Sequence, residues 1–147
     1  MDAISKWAQF FGRVALGTIF LVSGAGKLSA WHATVAYAAS KGVPELLLVI
    51  ATVLELAGGI GVILGYRARW AALALLVFLV PVTFVFHGFW AVPANEQHAQ
   101  LVNFLKNLSI AGGALIVFAR GAGAFSIDAM GARAGIDPLP AAPAARS

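Results

Sequence analysis

The chain alternates four long apolar stretches with short polar segments. Each stretch holds the roughly 20 apolar residues that a helix needs to cross a bilayer, and the four span about residues 7–28, 44–64, 68–89 and 101–119. Pro81 lies inside the third stretch and predicts a kink, because membrane helices tolerate proline. The pattern predicts an all-α integral membrane protein, a bundle of four transmembrane helices within residues 1–128. Residues 129–147 are rich in Ala and Pro and predict a flexible C-terminal tail.

One carboxylate lies in the interior of the second stretch. Glu55 is the only ionisable side chain between Leu46 and Tyr66. A charge near the middle of a bilayer is costly unless it faces protein or finds a partner. Because residues three and four apart share a helical face, Glu55 lies on the same side as Gly58 and Gly59, where helices approach closely. Glu55 is therefore predicted to face the other helices.

The remaining stretches also carry polar or small residues on one face each. The aligned residues are Arg13, Gly17, Gly24 and Lys27 in the first stretch, Thr83 and His87 in the third, and Asn103, Lys106, Asn107 and Gly113 in the fourth. This arrangement predicts polar groups turned toward the interior of the bundle. The small residues predicted to serve helix packing are Gly24, Gly58, Gly59, Gly112 and Gly113.

Composition supports the membrane setting and narrows the chemistry. Hydrophobic residues make up 61% of the chain and charged residues 11%, against roughly 25% charged residues in soluble domains. The net charge of +4 comes from basic residues that form no run or stripe, so nucleic-acid binding is not expected. The chain has no cysteine, and we predict no metal site and no intrinsic cofactor.

Lysine and arginine fall unevenly on the two sides of the predicted bundle. The side with both termini and the second loop holds seven of these residues, and the other side holds Lys27, Lys41 and Lys106. The positive-inside rule then predicts that both termini lie in the cytoplasm.

Depth in the bilayer suggests which cation meets Glu55. At ~1.5 Å per residue, Lys106 lies closest in depth to Glu55 and is the first candidate. Arg13 is the second, since its side chain is long and its face correct. Such a pair has two interpretations that the sequence leaves open. It either fixes the register of the helices or forms part of a binding site.

The residues resemble the DoxX family over about Phe11 to Asp128. The resemblance rests on four pieces in order: Arg13-Val-Ala-Leu-Gly with Ser23-Gly-Ala-Gly-Lys27-Leu, Glu55-Leu-Ala-Gly-Gly, His87-Gly-Phe, and Phe104-Leu-Lys106-Asn107-Leu with Gly112-Gly113. It implies a small four-helix protein of the bacterial inner membrane. Some members of the family are linked to quinone-dependent oxidation, and others to membrane oxidoreductase or oxidative-stress complexes.

Three functions follow as hypotheses. The first is a membrane subunit of a redox complex that handles quinone, with Phe84, Phe86, Phe89, Trp90 and Phe104 packing the ring. The second is a non-catalytic anchor or assembly subunit. The third is transport of a small solute or protons, which would need oligomers in so small a chain.

No catalytic residue is assigned from the sequence. The candidates for the polar core and for ligand binding are Glu55, Lys106, His87, Lys27, Arg13, Asn103 and Asn107. Quinone is the cofactor that the first hypothesis requires. As partners we expect the lipid bilayer, and the sequence leaves open membrane or peripheral oxidoreductase subunits and further copies of the chain.

Overall fold

A computed structural model describes residues 2–135. It contains six α-helices and one 3-10 turn within these residues: α1 (Ala3–Ser29), α2 (Trp31–Ser40), α3 (Glu45–Leu64), α4 (Ala68–Phe86), the 3-10 turn (Phe89–Ala91), α5 (Ala94–Arg120) and α6 (Ile127–Arg133). Four of the helical segments are long and apolar enough to cross a membrane, namely α1, α3, α4 continued through the 3-10 turn, and α5. The predicted all-α fold with four spans is therefore confirmed.

The short helices close the two ends of the bundle. The α2 and 3-10 turn segments lie at one end, called the α2 end, and α6 lies at the other, called the α6 end. The N-terminal part of α1 lies at the α6 end, where the Trp7 ring is 4.8 Å from the ring of Phe125. Both described chain ends thus share one side of the bundle, and the cytoplasmic location of that side stays a prediction.

Two helices were not predicted from the sequence. The α2 segment was expected to be a loop, whereas its alanine-rich stretch forms a 10-residue helix. The predicted domain boundary at residue 128 falls inside α6, whose first turn is capped by the Ser126 hydroxyl accepting from the backbone N–H of Ala129. Residues 136–147 of the predicted tail lie outside the described residues, so the flexibility of the tail stays a prediction.

Glycines set how closely α1, α3 and α4 approach. A Cβ added at Gly17 would lie 2.8 Å from the backbone oxygen of Gly59, and one at Gly58 would lie 2.7 Å from the Leu75 side chain. Glycine thus brings α3 against α1 on one face and against α4 on another, while α5 packs on α4. Gly112, in contrast, has open space where a Cβ would lie, so it makes no close contact within the described chain.

At the α6 end, two charged side chains form hydrogen bonds that connect separate segments of the chain. Arg13, 3% exposed, donates to the backbone oxygens of Val62 at 3.0 Å and Phe125 at 2.5 Å. The carboxylate of Asp128 accepts from the backbone N–H groups of Arg67 and Ala68, which begin α4. Because helix ends leave backbone groups without intrahelical partners, these contacts satisfy the C-terminal end of α3 and the N-terminal end of α4.

Candidate functional site: a polar cavity among the membrane helices

The centre of the site is an ion pair between α1 and α3. Lys27 Nζ lies 2.5 Å from Glu55 Oε2, and the Glu55 side chain is only 2% exposed. Lys27 also donates to the Ser23 hydroxyl at 2.9 Å and lies 5.6 Å from the centre of the Phe78 ring. The carboxylate therefore meets its countercharge inside the protein.

Close helix packing explains why Lys27 reaches Glu55. Gly24 stands one turn before Lys27, and a Cβ at Gly24 would lie 2.5 Å from the Leu56 side chain and 3.6 Å from Glu55 Oε2. The small residue lets α1 lie directly against α3 at the level of the carboxylate. The flexible lysine stem then extends along α1 to the carboxylate.

The predicted partners of Glu55 were wrong. Lys106 Nζ donates to Asn103 Oδ1 at 3.0 Å instead, and Arg13 bonds backbone oxygens at the α6 end. The depth comparison placed the backbones of Glu55 and Lys106 at similar levels, but it ignored how far a lysine side chain travels along its helix and how closely the glycines bring α1 to α3. Glu55 facing protein, in contrast, is confirmed by its burial.

A cavity of about 650 Å³ adjoins the ion pair. Most of its wall is apolar and comes from α1, α2, α3, α4 and α5. The polar and charged residues that line it are Ser23, Lys27, Thr34, Tyr37, Glu55, His87, Lys106 and Asn107. Five of the seven predicted polar-core residues thus line one space, whereas Arg13 and Asn103 do not.

Residues of α1 and α5 both contribute to the cavity wall. The two helices meet only lightly, with the side chain of Leu16 3.4 Å from the position of a Cβ at Gly113. Beyond that contact, toward the α2 end, residues of both helices line the cavity wall. The cavity therefore lies on the α2 side of the contact between Leu16 and Gly113.

Lys106 occupies an unusual position for a lysine. It stands about 18 Å from the start of α5 and about 21 Å from its end, but only about 7.5 Å from the start of the apolar stretch 101–119. A charged lysine at the centre of a membrane helix costs about 2.5–3.5 kcal/mol on insertion scales. Among the described residues, the only ion pair is Lys27 with Glu55, so Lys106 has no carboxylate partner there.

His87 and Asn107 complete the polar part of the wall. His87 is the C-cap residue of α4, and its Nδ1 lies 2.9 Å from Gln100 Oε1, within hydrogen-bond distance. Asn107 is 7% exposed and lies next to Lys106 in the chain. Together these side chains offer both donors and acceptors to a molecule in the cavity.

Of the five aromatic residues predicted to pack a quinone ring, one lines the cavity. Phe86 lines the cavity, and its ring is 5.6 Å from that of Tyr37 on α2. The other four predicted ring-packing residues form a separate cluster with one another, at centroid distances of 5.0 to 6.1 Å: Phe84, Phe89, Trp90 and Phe104. They do not line this cavity, and their packing of a quinone ring stays a prediction.

Sequence reasoning missed several residues of the site. Ser23 bonds the Lys27 ammonium, and Thr34 and Tyr37 reach the cavity from α2. The position of Ser23, four residues before Lys27 on the same helix, was a signal that could have found it, because such residues are neighbours on a helix surface. The residues of α2 could not be placed while that segment was taken for a loop.

Comparisons with known proteins show which family this chain resembles. The DoxX family profile matches residues 8–88. Inner membrane protein YqjF of Escherichia coli is 33% identical over 128 residues, which cover 87% of this chain and 95% of that protein. Inner membrane protein YphA of the same organism is 33% identical over 118 residues, covering 79% and 84%. A Surfeit locus protein 4 homolog of Schizosaccharomyces pombe is 33% identical over 69 residues, covering 46% of this chain and 23% of that protein. No solved structure matches the chain.

The matched segment contains both members of the ion pair and His87, whereas Lys106 lies beyond it. The relatives over most of the chain are inner-membrane proteins, and the chain has four helices able to span a membrane. The protein is a multi-pass inner-membrane protein, and it belongs to the DoxX family.

Proposed function

We propose that the chain is a membrane subunit of a redox complex and that its cavity holds a quinone. The supporting observation is the cavity of about 650 Å³, apolar along most of its wall and polar at Lys106, Asn107 and His87. Its volume lies within the roughly 300–1,000 Å³ of small-molecule sites, which combine apolar walls with a few placed polar groups.

The polar groups suit a quinone head group. Its two carbonyl oxygens accept hydrogen bonds, and the Lys106 ammonium and the Asn107 side-chain amide are donors on the cavity wall. Reduction of a quinone to a quinol takes two electrons and two protons. The electrons come from a partner oxidoreductase, and Lys106 and His87 are groups able to pass protons at the oxygens.

A binding titration tests this proposal. The purified protein in nanodiscs of zwitterionic phospholipid is titrated with decylubiquinone, a short-tailed quinone. Ala51 lines the cavity and Ala57 on the same helix is exposed on its surface. We expect Ala51→Trp to abolish saturable binding because the indole fills the space, and Ala57→Trp to leave binding unchanged. Equal binding by both variants, or no saturable binding by the wild-type protein, would rule out this site.

One observation favours a second candidate, a non-catalytic anchor. The Lys27–Glu55 pair is satisfied within the chain, as expected for a contact that holds α1 to α3. For an anchor, replacing both members by methionine, Lys27→Met with Glu55→Met, leaves the partner complex assembled and active, and so does Ala51→Trp. For a quinone-binding subunit, Ala51→Trp leaves the complex assembled but removes its quinone-dependent turnover.

A further inference from the structure

The wall of the cavity carries a positive charge that the described chain does not neutralise. The charges of Lys27 and Glu55 neutralise each other, since Lys27 Nζ lies 2.5 Å from Glu55 Oε2. Lys106 donates to the neutral Asn103 and pairs with no described carboxylate. His87 is hydrogen-bonded to the neutral side chain of Gln100. Lys106 therefore leaves one uncompensated positive charge facing the cavity.

The surroundings of Lys106 strengthen its attraction for an anion. It lies within the apolar stretch of α5, residues 101–119, where lipid and apolar side chains replace water. A charge interacts far more strongly with a countercharge in such a medium than in water. The side chain of Lys106 is exposed, and its hydrogen bond to Asn103 uses only one of the three ammonium protons, so two can be donated to a molecule in the cavity.

The rim of the cavity opens toward the lipid. Ile50, Val77 and Val85 line the cavity and yet are 46%, 58% and 43% exposed. They lie on membrane-spanning helices, so the surface that they present faces acyl chains rather than water. The cavity is therefore open to the lipid along this rim.

From these observations we infer that the cavity prefers an amphiphile with one apolar chain and a carboxylate head group, and that Lys106 supplies the countercharge. The neighbouring Asn107 amide is a further donor at the same end of the wall. The inference rests on the proposed function only in that the same cavity holds a molecule from the membrane.

Photolabelling with two matched probes tests the preference. The probes are palmitic acid and hexadecanol, each with a diazirine at the same carbon, added to the full chain in zwitterionic nanodiscs. Labelled residues are mapped by mass spectrometry. A charge-assisted hydrogen bond predicts that the acid labels the cavity residues at a roughly 10- to 100-fold lower concentration than the alcohol.

Lysine variants locate the charge. Lys106→Met is expected to remove the preference for the acid, while Lys106→Arg keeps it. Lys41, an exposed residue of the α2–α3 connection, gives the matched control Lys41→Met, which is expected to keep the preference. Preference that persists in Lys106→Met, or equal labelling by acid and alcohol in the wild-type chain, would overturn the inference.

Two further outcomes separate this inference from the proposed function. If decylubiquinone competes with the alcohol probe while the acid shows no advantage, the charge preference fails and the quinone site stands. If neither probe labels the cavity and decylubiquinone does not bind, both fail. Displacement of the acid by phosphatidylglycerol in the nanodiscs would identify a two-chain lipid as the occupant and contradict the single-chain assignment.

Discussion

Removing Lys27 tests the ion pair at the centre of the bundle. In Lys27→Met the Glu55 carboxylate keeps its 2% exposure but loses the ammonium at 2.5 Å. Breaking one side of a buried ion pair costs about 3–5 kcal/mol, because the remaining charge is left without compensation. We therefore expect the free energy of unfolding to fall by about that amount.

The double variant Lys27→Met with Glu55→Met separates the pair from the general packing. Methionine fills similar space without a charge, and replacing a buried pair by apolar residues is often neutral or stabilising. We expect the double variant to recover to within about 1 kcal/mol of the wild-type protein. The measurement is SDS-induced unfolding in bicelles, followed by far-UV circular dichroism.

Lys106→Met serves as the control for the identity of the partner. Lys106 does not contact Glu55, so adding Glu55→Met to Lys106→Met is expected to give no recovery. The pairing would be refuted if Lys27→Met cost less than about 1 kcal/mol. It would also be refuted if Glu55→Met rescued the Lys106 variant instead of the Lys27 variant.

Three further predictions use the same unfolding measurement. Gly17→Ala places a Cβ 2.5 Å from an Ile63 side-chain carbon and should cost about 1–3 kcal/mol, whereas Gly112→Ala meets open space and should gain up to about 1 kcal/mol of helix propensity. Equal effects of the two would contradict the close packing of α1 on α3. Asp128→Ala removes the two carboxylate oxygens that accept from backbone N–H groups at the start of α4 and should cost about 1 kcal/mol. Asp128→Asn keeps one of the two acceptor oxygens and should cost less than Asp128→Ala. An unchanged Asp128→Ala variant would show that this cap is not formed. Arg13→Met removes the donor to backbone oxygens at the end of α3 and should cost about 2–3 kcal/mol, and a loss below about 0.5 kcal/mol would contradict the role of this side chain.

The architecture could be predicted because the bilayer imposes strong constraints on sequence. Four apolar stretches predicted the four spans, although α1 and α5 begin at Ala3 and Ala94, before the predicted starts at residues 7 and 101. Glu55, beside the glycines of α3, indicated a protein-facing side. Helical spacing also grouped His87, Lys106 and Asn107 with Glu55, and all four line the same cavity. These inferences need only the helical period and the cost of a charge in lipid.

The partner of Glu55 could not be found by depth alone. The comparison of depths located each residue by its backbone position along parallel helices and ignored the length of its side chain. The long side chain of Lys27 extends from its own backbone position to Glu55. Lys27 pairs with Glu55 because Gly24 lets α1 pack directly against α3. This contact could not be predicted without knowing which helices are neighbours. Asp128 was not predicted to cap a helix, because the helix that it caps begins 60 residues away in sequence.

The central claim is that the cavity holds a ligand from the membrane. It is tested most directly by extracting the protein from native membranes into nanodiscs without detergent and identifying the bound small molecules by mass spectrometry. We predict that a quinone or a single-chain carboxylate co-purifies with the wild-type protein and with Ala57→Trp and is absent from Ala51→Trp. Equal amounts in the Ala51→Trp and wild-type preparations, or no enrichment over the bulk lipid in the wild-type protein, would contradict the claim.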